Sequence, residues 1–258
     1  DVCSSDLILI YRMVVPEIIN VFSNLWWLGI VISIISSIFI VQLAIRIPPD
    51  RRKVLMIFLG VFLLSLELVR HYHLNDLGLW SVSASLPIHL CGISRILAGI
   101  MLIKPNKMGF QFLALIGSPG ALHALLTPQL NHGRTDFMIF EYYASHTGII
   151  LTPIFFAVVL GYRIQDKSWV HAFITLQFIL IFVGLANYVL ESNYMYLAAR
   201  PLAKNPMIVG DWPWYILGFE FLGFIHIYMF FKAYKLFKPL PYRWCIFFLK
   251  IFCLLADG

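Results

Sequence analysis

The chain has 258 residues, 60% hydrophobic and only 12% charged, with a mean hydropathy of +0.84 and a formal net charge of +6. So apolar a composition at this length excludes an ordinary soluble domain and points to an all-α polytopic membrane bundle, one domain rather than several. The positive charge is no nucleic-acid signal, because most Lys and Arg fall in short loops between apolar runs.

The first residues, DVCSSDL, are those that translation of a common sequencing-adapter end yields. Residues 1–7 are therefore expected to be foreign and are excluded from fold reasoning. Residues 8–24 form an N-terminal segment, 25–237 the predicted transmembrane domain, and 238–258 a basic cytoplasmic tail expected to be cut short. The apolar piece Trp244–Leu255 is too short to span.

Span one is predicted over 25–45 and stops at Pro48–Pro49. Span two covers 54–73, and its second half carries Glu67, Arg70 and His71 on one helical face. Span three, 86–103, opens LPIHLCGISR, with Pro87 read as a first-turn proline and Ser83 or Ser85 as the cap. Span four, 108–127, holds Gly117, Pro119 and Gly120, where a kink or break is expected, and then His123. The loop to Phe140 holds His132, Arg134 and Asp136. Span five, 141–160, begins EYYASH and places His146 one turn inside. Span six, 169–190, ends near Asn187 and Glu191, which share a face. Span seven, 212–231, opens on the aromatic WPWY and contains Glu220 and His226.

Seven spans put the loops after spans one, three, five and seven on one side, and those loops hold 13 of the 19 Lys and Arg against 4 on the other. The positive-inside rule then places the N-terminus outside and the C-terminus in the cytoplasm of a cell membrane, for a bacterial protein the inner membrane. At about 1.5 Å per residue, Cys91 and His146 both lie ~7.5 Å and His123 ~6 Å below the outer ends of their spans. Glu67, Arg70, His71, Asn187 and Glu191 also fall in the outer half, with Glu220 somewhat deeper and Arg95 near the middle. One outward-facing polar cavity would account for that segregation, whereas His171 and His226 are expected outside it. Ionisable groups at membrane depth are costly and mark function by default.

Cys91, at a helix N-terminus, and His146 at matched depth can form a nucleophile–base pair. The bland alternative is that Cys91 is a small buried hydrophobe. His89 lies on nearly the opposite face from Cys91 and is a poorer base; it serves as a substrate contact or bonds a loop carbonyl. Arg95 can pair with Glu67 or Glu220 as a structural ion pair, or hold an anionic head group. His123 can donate to an oxyanion or bond across helices. A zinc site from Cys91, His123 and His146 has no supporting spacing, so no metal and no cofactor are expected.

LPIHLCGIS, the ASHTG around His146, NYVLESNYMYLAARP and DWPWYI resemble the YwaF-like family of bacterial integral membrane proteins over roughly residues 20–237. The sequence departs from that pattern at Glu191, where Gly is expected, and at Asp211, where Pro is expected. The family is similar to eukaryotic transmembrane phospholipid acyltransferases that depend on a cysteine. The resemblance implies membrane lipids as partners, Cys91 as the acyl-accepting nucleophile and His146 as its base. Arg95, His123, His89, Glu67, Arg70, Asn187 and Glu220 are then the candidate substrate-binding residues. The alternative is a transporter or binding protein for a small charged solute, in which those charges do the binding and Cys91 is packing. No internal repeat of the kind transporters carry is evident.

Overall fold

The computed structural model describes residues 16–203 and 210–236. The adapter-like residues 1–7, the tail 238–258 and Cys3, Cys245 and Cys253 lie outside the described residues. Among the described residues, seven helices make up the fold: α1 Asn24–Arg46, α2 Pro49–Asp76, α3 Leu90–Ile103, α4 Lys107–Leu126, α5 Asp136–Val158, α6 Ser168–Leu190 and α7 Trp214–Leu236. A two-residue antiparallel ladder pairs β1, Glu17–Ile18, with β2, Gln129–Leu130. Helices α1, α2, α4, α6 and α7 are long and apolar enough to cross a membrane. They turn large side chains such as Phe39, Phe58, Phe178 and Phe221 outward, which suits a hydrocarbon surrounding.

The polar-rich α5 is the buried axis. It packs against α1, α2, α3 and α4, so its neighbours shield its Glu and His from lipid. Small residues set the approach distances, as expected where lipid removes the hydrophobic drive between helices. A Cβ on Gly60 of α2 would stand 2.7 Å from the Gly99 carbonyl oxygen of α3, so glycine permits that crossing. Thr147 Oγ1 donates to Ser33 Oγ at 2.7 Å and docks α1 on α5.

Two helix starts differ from the sequence reading, and the irregularity expected near Pro119 takes a specific form, each for a local reason. Thr135 caps α5 by accepting the Met138 N–H, so the helix begins at Asp136 and Glu141 lies inside it. Pro119 neither breaks nor ends α4; a π turn at Leu113–Gly117 widens the helix just before it and absorbs the missing N–H. Helix α3 begins at Leu90, not Leu86, with His89 as its N-cap. Pro87 is therefore not a first-turn proline. Its carbonyl folds back over the helix start, 2.8 Å from where a Gly92 Cβ would be. Ser85 is not the cap either, since its Oγ accepts the Ser81 N–H.

Asn187 does not line the cavity. Its Oδ1 accepts from Ser192 Oγ and the Tyr194 N–H, both at 2.8 Å, and its Nδ2 donates to the Tyr194 carbonyl at 2.9 Å. It clamps the turn that leaves α6. Glu191 in that turn has φ 48°, the left-handed region where glycine carries no steric cost.

Candidate functional site

The loops 77–89, 127–135 and 191–203 interlock at one end of the bundle. Tyr194 Oη accepts the Leu86 N–H at 2.9 Å and donates to the Val82 carbonyl at 2.6 Å. Tyr196 Oη reaches Asn131 Oδ1 at 3.2 Å, and the Ala203 N–H donates to Gln129 Oε1 at 2.8 Å. His89 Nδ1 accepts the Met195 N–H at 3.1 Å. Its partner is thus a loop N–H rather than a loop carbonyl, and that bond steadies a turn in which Met195 and Tyr196 have φ 56° and 57°.

Beneath this cap lies a cavity of about 440 Å³. Cys91, on the first turn of α3, and His146, on α5, both line it, as do Arg95, His89, His123, Arg70 and Glu220. Glu67 and Asn187 do not. His146 Nδ1 stands 2.6 Å from the Tyr142 carbonyl, so Nδ1 carries the proton and Nε2 keeps its lone pair. The ring lies 4.2 Å from that of Tyr142, whose hydroxyl donates to the Ala124 carbonyl of α4 at 2.7 Å. No hydrogen bond joins Cys91 to His146, so a proton passing between them needs a bridging group or a small approach of either side chain.

Arg95 is a structural hub. Its Nη1 donates to Glu141 Oε1 and, at 3.0 Å, to Ser145 Oγ, while Nη2 pairs with Glu67 Oε2. Glu67 Oε1 also takes His71 Nε2 at 2.9 Å and Arg70 Nη2 at 3.4 Å. Arg70 Nη2 donates on to the Ser85 carbonyl at 2.8 Å. Two guanidinium groups and two carboxylates therefore neutralise each other in the bundle. Glu67 answers Arg95 and Glu220 does not; Glu220 Oε2 instead accepts from Gln177 Nε2 at 2.6 Å across α6 and α7.

The sequence reading missed three contributors. Apolar length alone starts a span at Glu141, although the Thr-Asp pair ahead of it is a helix-start signal that draws it inside. His132, in the loop between α4 and α5, lines the cavity, and burial followed by the nearby Arg70 holds its pKa down to about 4. His226 was expected outside the site, yet its Nε2 lies 3.0 Å from His123 Nε2 and it lines the cavity. Counting depth from the start of each span assumes that all spans start in one plane. The early turns of α7 instead run along the 191–203 loop, where Tyr215 Oη donates to the Tyr196 carbonyl at 2.7 Å. Among the described residues, no group of three His, Cys, Asp or Glu side chains stands close enough to hold a metal ion.

Residues 21–234, nearly all of the helical bundle, match the TMEM164 family. The chain belongs to the TMEM164 family. Neither the curated proteins nor the solved structures contain a match. Membership in this membrane protein family, with five membrane-length apolar helices, makes the chain an integral, multi-pass membrane protein.

Proposed function

We propose that the protein is a lipid acyltransferase or acyl hydrolase that works through a Cys91 thioester, in a seven-span bundle of a bacterial inner membrane with the N-terminus outside. The observation that carries this reading is the shared cavity. A nucleophile-bearing helix start and a histidine of assigned tautomer line one chamber, and the Nε2 lone pair of that histidine has no partner among the described residues. The resemblance of LPIHLCGIS and ASHTG to cysteine-dependent acyltransferases supports the same roles. As Cys91 Sγ attacks the ester carbonyl, its proton passes to His146 Nε2, through a bridging group or after a small approach of the two side chains. The carbon–oxygen bond then breaks, and the departing lysolipid oxygen takes that proton. The acyl group leaves the thioester for a lipid hydroxyl or for water.

The network around Arg95 bears on the solute-transport alternative. Arg95, Arg70, Glu67 and Glu141 already pair in charge with one another, so they offer a charged solute little uncompensated charge, although the Nε atoms of both arginines have no hydrogen-bond partner among the described residues. The test is purified protein in liposomes with labelled phospholipid and lysolipid, followed by lipid mass spectrometry. Cys91→Ala abolishes acyl movement and His146→Ala slows it by about 10²–10⁴. Identical lipid profiles for wild type and Cys91→Ala across several head groups overturn the reading.

A further inference from the structure

We propose that His123 and His226 form a second proton-accepting site in the same cavity, one that activates the hydroxyl of the acyl acceptor while His146 serves Cys91. The proposal rests on the acyl-transfer reading above and assigns its second half-reaction.

The hydrogen bonds decide which nitrogen is available. His226 Nδ1 lies 2.6 Å from the Leu222 carbonyl and must donate to it, so His226 Nε2 is an acceptor. His123 Nε2, 3.0 Å from His226 Nε2, must then be the donor. That leaves the lone pair on His123 Nδ1. A carbonyl orients His226, His226 orients His123, and His123 presents a base, the same logic by which a third group orients the base of a nucleophile pair. When His123 Nδ1 takes a proton, its Nε2–H bond to His226 becomes charge-assisted and stronger.

Two contacts bring this pair close to Cys91 and His146. A Cβ on Gly120 would stand 3.2 Å from Leu90 Cδ2, so the neighbour of Cys91 abuts α4 one turn before His123. Tyr142, whose ring lies 4.2 Å from that of His146 at a tilt of 40°, bonds the carbonyl of Ala124, the residue after His123. The wall beside the pair is mostly apolar, built from Leu176, Leu180, Phe219 and Ile227 of α6 and α7, with the Glu220 carboxylate among them held by Gln177. That wall suits the hydrocarbon chain of an amphipathic acceptor. The acceptor class is therefore a hydroxyl-bearing single-chain lipid, a lysolipid.

The step balances. The acceptor O–H proton moves to His123 Nδ1 and the oxygen attacks the thioester carbonyl. The carbon–sulfur bond breaks, and the proton returns from His123 to the Cys91 sulfur.

The two half-reactions separate experimentally. Full-length protein in lipid nanodiscs is incubated with labelled phospholipid, and Cys91 acylation is read by intact mass and its loss on hydroxylamine treatment. A lysolipid chase then reads transfer. We expect His123→Gln to form the thioester within about 3-fold of the wild-type rate, which also reports an intact fold, and to slow the chase by about 10²–10³. His226→Gln retains most transfer, because its amide oxygen still accepts from His123 Nε2, whereas His226→Leu behaves like His123→Gln. A chase at wild-type rate in His123→Gln and His226→Leu overturns the proposal and leaves both half-reactions to His146. A parallel loss of thioester formation in His123→Gln also overturns it. No acylation of Cys91 in the wild type refutes the acyl-transfer reading itself, a separate result.

Discussion

Replacing Arg95 by Met separates a structural hub from a head-group ligand. Arg95, Glu67 and Glu141 are each about 5–6% exposed. The cluster holds two positive and two negative groups, with His71 donating to Glu67 as well. Arg95→Met removes one positive charge. Glu67 keeps Arg70 and His71, but Glu141 keeps only Ser145 and becomes an uncompensated buried anion. Breaking a buried pair from one side costs about 3–5 kcal/mol. Glu141→Gln costs a similar amount from the other side, because it leaves Arg95 with Glu67 already shared by Arg70. The double variant leaves Arg70 facing Glu67 and an amide beside a thioether, with no net charge. Independent effects would sum to about 6–10 kcal/mol, so a double variant no worse than either single implies a coupling of at least about 3 kcal/mol. The assay is reversible unfolding in mixed micelles, with the denaturing detergent titrated and helicity followed. Additive losses would refute the hub. A stable Arg95→Met protein that only loses affinity for anionic lipid would make Arg95 a ligand instead.

Glu191→Gly relieves the left-handed residue after α6 and raises stability by about 1 kcal/mol in the same assay; no gain would mean that the turn is not strained there. For His132, the folded value near 4 lies below the ordinary 6.5, so the unfolded chain binds the proton first. Its contribution is complete above pH 6.5 and is lost as pH falls toward 4. His132→Gln should flatten unfolding midpoints across that window, and an unchanged slope counts against the burial argument. For topology, single cysteines at Gln165 and Ser83 should label oppositely with an impermeant reagent applied outside, Ser83→Cys reacting and Gln165→Cys not. The reverse pattern inverts the bundle.

Hydropathy and charge placement were enough to read an all-helical membrane chain, because burial in lipid imposes long apolar runs separated by short charged loops. The polar residues were legible too, since an ionisable group in such a run stands out, and Cys91, His123, His146 and Arg95 do line one cavity. Their partners were not legible. Glu141 reached Arg95 only because a Thr135 cap draws α5 back toward its N-terminus, and His226 reached His123 because α7 does not start level with α4. Asn187 reads as a candidate ligand, yet its side chain bonds the Tyr194 backbone, since nothing in an amide's neighbours along the chain says whether backbone or cavity will take its hydrogen bonds. Spacing along a helix determines which residues share a face; the rotation and axial offset between helices decide which faces meet. Those depend on close contacts such as Gly60 with Gly99 and Gly120 with Leu90, where two distant segments must fit together and neither alone carries the information.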